Sequence, residues 1–220
     1  MALGSAGWAL AEGRRGGTAP GGRTRPVEKA YAAPEGPALK CPLYYLYAVH
    51  CNVSLAGCDH GTHVAGIAAG QTSPVGFDGV ARGANIIAVQ VFSRLHDSTG
   101  NTLCANAERS SPCALSFTSD QMQALEHVYN LRNTLNITAV NMSLGGGKHT
   151  SACDSDALKP IIDNLPAAGI ATVIAAGNKG YTDAIEAPAC ISTAISVGAT
   201  SQTDVVASCS NSAAMLALHT

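Results

Sequence analysis

At 220 residues and 46% hydrophobic, the chain is long enough and apolar enough for one α/β domain, or a smaller domain with a tail. Only 13% of residues are charged and the net charge is -2, so there is no electrostatic footprint for nucleic acid or an acidic membrane surface. No apolar run reaches the ~18 residues that a bilayer span needs.

In chain order, the first 50 residues stand apart. "MALGSAGWALAEG" is short and apolar but has no Lys or Arg ahead of the apolar part, which makes a poor signal peptide. "GRRGGTAPGGRTRP" has almost no apolar periodicity. Residues 1–50 are expected to be disordered or foreign to the domain, and residues 51–220 to form a partial domain. "HGTHVAGIAAG" reads as a helix of small residues closed by Gly70. "GANIIAVQVF" is a nearly continuous apolar run, as for a strand buried on both faces. In "TSDQMQALEHVYNLRN", Thr118 and Gln121 have the spacing of a capping box, and Met122, Leu125, Val128 and Tyr129 share a helical face. "ITAVNMSLGGG" is a strand and a glycine turn. "DALKPIIDNLPAAG" is a helix whose ends are blurred by Pro160 and Pro166. "IATVIAAGN" and "ISTAISVGAT" are further strands.

This alternation predicts an α/β fold: a parallel sheet with helices on both faces. Functional groups in such sheets gather where strands end, and "SLGGG" and "AAGN" both sit at strand ends. Eight cysteines favour disulfides and an extracellular or secreted setting over buried free thiols. Cys104 with Cys113, which bracket a loop, and Cys153 with Cys190, which flank a βα unit, are the expected pairs.

His60 and His63 could share a helix face, but no H-E-x-x-H and no nearby acid follows them, so no metal site is assigned. The small residues around them, Gly61, Thr62, Ala65 and Gly66, suit close backbone approach and a precisely held base. "SLGGG" alone could be an anion-binding turn. A nucleotide site is disfavoured because no G-x-G-x-x-G accompanies it.

"HGTHVAGIAAG", "VNMSLGGG" and "ATVIAAGN" together resemble the subtilisin-like (subtilase) serine protease family, in its order and rough spacing, over residues 57–212. The resemblance implies a subtilisin-like sheet, incomplete at both ends, and hydrolysis of peptide bonds by Ser-His-Asp acyl transfer. It makes His60 the general base, gives His63 no catalytic role, and makes Asn178 the side-chain donor of the oxyanion hole. Ser143, Leu144 and Gly145 match the segment that pairs with the substrate backbone. Ala175, Ala176 and Gly177 match the opposite wall of the pocket for the residue before the cut bond, where "AAG" suggests apolar side chains. Calcium often stabilises the family, but no ligand set matches residue by residue. The expected partner is a peptide or protein substrate, and the expected state a monomer.

The chain also departs from the family. No aspartate precedes Asp59, and Asp59 adjoins His60 too closely to orient its ring. No G-T-S-M-A follows, and Ser208, Ser210 and Ser212 sit in another context. The chain as written is expected to be inactive as a protease, and its fold to be imperfectly closed. The alternative from another class is a non-catalytic peptide-binding pseudoprotease.

Overall fold

The computed structural model describes residues 8–12, 55, 60–70 and 78–219. Its main sheet has six strands in the order β10-β9-β7-β5-β1-β2. The strands are β1 (Trp8–Glu12), β2 (Asn85–Val89), β5 (Ile137–Met142), β7 (Ala171–Ala175), β9 (Ile195–Gly198) and β10 (Leu218–His219). Two small antiparallel pairs accompany it: β3 (Phe92–Leu95) with β4 (Cys113–Ser116), and β6 (Gly146–His149) with β8 (Ile185–Ala187).

The neighbours β5, β7, β9 and β10 are parallel. β1 is antiparallel to both β2 and β5, so β2 points the same way as the rest and β1 alone opposes them. The fold is therefore α/β and parallel, as expected, with one reversed strand inserted beside β5. That strand arises from a segment in which the sequence patterning gave no element. The rest of 1–54 lies outside the described residues, as do Asp59 and most of "CPLYYLYAVHCNVSL".

Four helices are described: α1 (His60–Ala69), α2 (Leu103–Asn106), α3 (Thr118–Leu131) and α4 (Lys159–Ala167). α3 buries Ala124, Leu125 and Val128, while Met122 and Tyr129 lie half-buried against the same core. The expected capping box does not form. Phe117 precedes the helix and no side chain caps it; the Gln121 amide donates to Ser116 Oγ (3.1 Å) instead. In α4, Pro160 fits the first turn, where no N–H partner is needed, and Pro166 falls in the last turn. Gly169, at φ 78°, then closes the helix and Ile170 N–H returns to Leu165 C=O (2.9 Å).

The core lies between these helices and the sheet. Val140, Met142, Ile162, Leu165 and Ile174 are fully buried in it. The run "GANIIAVQVF" differs from expectation. It breaks after Val89, and β2 is an edge strand with only Val89 buried, because no strand lies beyond it in the sheet.

Both expected disulfides are present. Cys104–Cys113 closes the loop between β3 and β4, and Cys153–Cys190 joins the start of the β6–α4 connection to the segment after β8. Among the described cysteines, Cys209 is free and exposed.

Candidate functional site

Parallel pairing of β5 with β7, with Met142 opposite Ile174, makes both strands end at one edge of the sheet. Ser143, Leu144 and Gly145 leave β5 there as an extended connection outside any strand. Ser143 and Leu144 are half-buried and Gly145 is exposed; the Asn141 amide holds Ser143 Oγ (2.8 Å). Ala175, Ala176, Gly177 and Asn178 leave β7 beside them. Ala176 is buried, and its N–H donates to Val197 C=O on β9 (2.8 Å).

Gly177 has φ 107°, a backbone that favours glycine, and a Cβ there would stand 2.3 Å from Asn211 Nδ2. Asn211 is the residue that shapes this turn. Its Nδ2 donates to Ala176 C=O (3.0 Å), and its Oδ1 accepts from Lys179 N–H (2.9 Å) and Tyr181 N–H (3.1 Å). Its own N–H reaches Gly177 C=O (3.1 Å). Asn178 sits half-buried inside this clamp.

His60 is the first residue of α1. The helix packs against β1 and β2. Its last turn is tied to the segment that enters β2: Val80 N–H donates to Ile67 C=O (3.0 Å) and Ala81 N–H to Ala68 C=O (2.8 Å). A Cβ at Gly79 would lie 2.3 Å from Gly70 N, so glycine is required at that crossing. The last turn of α1 thus lies beside the segment that enters β2, and His60 is at the other end of the helix. His63, one turn on, is exposed.

The serines near the C-terminal end play structural parts. Ser210 is buried; its Oγ accepts from Ala199 N–H (2.9 Å) and donates to Asn211 C=O (3.2 Å). Ser208 is exposed, and Ser212 N–H pairs with Tyr181 C=O (2.7 Å). No acid comes to this edge from β1. Trp8 faces Val89 at the end of β2, whereas Glu12 faces Asn85 and Ile137 at the opposite end of the sheet.

Glu186 was not singled out by its sequence context, "DAIEAP". It lies on β8, its N–H bonded to Ala176 C=O (2.9 Å), and it is only 9% exposed. Burial raises its carboxyl above the ordinary glutamate range, against weaker opposing pulls from Lys179 and Arg109. The β6–β8 pairing brings it beside the β5 exit. The one cluster among the described residues with metal-ligand spacing is His149, Cys153 and Cys190. The two cysteines are joined to each other, so they offer no thiolate to an ion.

The Subtilase family model matches residues 50–218. Over 152 residues the chain is 32% identical to the "Extracellular serine proteinase" of Thermus sp. (strain Rt41A), covering 69% of this chain and 30% of the relative. Over 163 residues it is 32% identical to "Subtilisin E" of Bacillus subtilis (strain 168), covering 73% of this chain and 36% of the relative. The chain thus spans about a third of the length of these curated relatives. Among solved structures, a cold adapted subtilisin-like serine proteinase aligns at 28% identity and TM-score 0.37, over 50% of this chain and 37% of that one.

Proposed function

Since the chain belongs to the subtilase family, we propose that it carries the base, the oxyanion donor and the substrate groove of a subtilisin-like serine endopeptidase. The observation that carries this reading is convergence at one sheet edge. The exits of β5 and β7 lie side by side, and His60 stands at the end of α1 away from the segment that enters β2, which we read as bringing it to the same edge. In this reading an extended peptide lies along Ser143, Leu144 and Gly145, with Ala175, Ala176 and Gly177 as the facing wall. Slim residues at Gly145, Ala175, Ala176 and Gly177 leave room for it between the two segments. His60 takes the proton of an attacking serine hydroxyl and passes it to the leaving amine. The Asn178 amide stabilises the oxyanion, and Asn211 supports it by fixing the turn. The partner is a peptide or protein chain, and the setting an extracellular one, which the two disulfides favour.

Among the described residues of β1 and of the segment around Ser210, no acid or nucleophile is in place. Glu12 is the acid of the inserted strand, and it lies at the wrong end of the sheet. The buried Ser210 hydroxyl is committed to backbone partners. The chain by itself therefore binds peptide without turning it over, as in the pseudoprotease alternative. Two measurements test this. Titration with an extended peptide, followed by amide NMR, should shift residues 143–145 and 175–178; silence there would refute the groove. A fluorophosphonate probe should leave the chain unlabelled, and serine-specific labelling would refute the inactivity.

A further inference from the structure

We propose that Glu186 makes this groove selective for arginine or lysine at the residue before the scissile bond. The proposal rests on the groove reading above and names its substrate class.

Glu186 reaches between the two segments read as the pocket walls. Its Oε2 lies 2.9 Å from where a Cβ on Gly145 would stand and 2.6 Å from where one on Gly177 would stand. The absence of side chains at both positions is what admits the carboxylate. The "AAG" wall, read alone, points to apolar side chains; the floor between the walls is charged.

Among the described residues no hydrogen bond reaches this carboxylate. Lys179 and Arg109 act on it only through space, and Lys179 is engaged with Glu108 at 3.2 Å. Its partial burial disfavours the charged form, which an incoming cation would offset. A cationic side chain entering between the walls would supply the missing donors. Arginine fits this demand well: its guanidinium can grip both carboxylate oxygens, and its aliphatic stem suits the alanine wall.

The test uses the intact chain and four fluorescein-labelled tetrapeptide amides that differ in the last residue: arginine, lysine, citrulline or leucine. Citrulline has the shape of arginine without its charge. By fluorescence anisotropy, arginine and lysine should bind about tenfold tighter than citrulline and leucine. Glu186→Gln should bring arginine down to the citrulline level and leave leucine unchanged. Glu186→Asp, which keeps the charge, should retain part of the preference. Equal binding of all four peptides to the wild-type chain would overturn the role of Glu186 while leaving the groove reading intact. Failure of every peptide to bind would overturn both. Should Glu186→Gln not fold, the arginine–citrulline comparison on the wild-type chain decides alone.

Discussion

Asn211 is fully buried and holds together two segments 30 to 35 residues apart in sequence. Its amide is used on both sides: the NH2 on Ala176 C=O, the oxygen on two N–H groups. Asn211→Leu removes the acceptor and leaves those two N–H groups facing an apolar side chain. We expect a loss of about 2–4 kcal/mol, measured by urea unfolding, since each orphaned buried group costs roughly 1–3 kcal/mol. A loss below about 0.5 kcal/mol would mean the turn holds without it. Glu186 gives the opposite sign. Its native carboxyl titrates above the ordinary value of 4.5, so between those two values the native state binds more protons than the unfolded one. Stability therefore falls as pH rises through that window, and the penalty is complete above it. Glu186→Gln should be neutral near pH 4 and raise Tm at pH 8. Asp154, held low by the Ser192 N–H and hydroxyl, and Asp163, held low by Lys159, act the other way: their stabilisation is present above 3.8 and lost on acidification. Both are present in either protein and cancel in the difference. A Tm gap that does not grow with pH would show that Glu186 is not an uncompensated charge. The same substitution should thus strengthen the fold and weaken arginine binding, a trade common at functional sites.

At the scale of elements, legibility followed length and apolar pattern. α3, β5 and β7 are readable because each carries a helical face or an apolar run, and α1 because its small residues end at Gly70. The 3–4-residue strands β3, β4, β6 and β8 are not, because so short a segment shows no period and its pairing is set by distant partners. The same limit hid Glu186. A lone acid in "DAIEAP" looks like a surface residue until the β6–β8 pairing folds it between Gly145 and Gly177. Asn211 was hidden for a similar reason, since its partners lie 30 to 35 residues away. The proposed site residues His60, Ser143 and Asn178 rest on family resemblance, not on local physics. The cysteines were legible because their spacing brackets recognisable elements. They also allow a comparison. Cys153–Cys190 spans 37 residues and Cys104–Cys113 spans 9. Chain-entropy arguments give about 4 kcal/mol for the long loop and about 3 kcal/mol for the short one. The double substitutions Cys153→Ala with Cys190→Ala, and Cys104→Ala with Cys113→Ala, should rank in that order by urea unfolding. The reverse order would mean that local packing, not loop closure, dominates.

At the scale of the whole molecule, the open issue is what joins the α1–β2 side of the sheet to the β5–β7–β9 side. β2 does not pair with β5; β1 stands between them and pairs with both. α1, which carries His60, packs against β1 and β2. Residues 8–12 therefore join α1 and β2 to β5, although the segment carries no motif of its own. Leu10 is the middle of the junction, opposite Ile87 on one side and Val140 on the other. Leu10→Pro deletes a ladder N–H between two strands and should uncouple the halves without touching β7 or β9. Hydrogen exchange provides the test. Amides of residues 86–89 and of α1 should exchange at least about tenfold faster in the variant, which corresponds to about 1.4 kcal/mol of lost local stability. Amides of β7 and β9 should keep their protection. Unchanged exchange in β2 and α1 would remove β1 from the structural core. Equal loss everywhere would make the sheet one cooperative unit whose integrity, and not only the placement of His60, depends on this reversed strand.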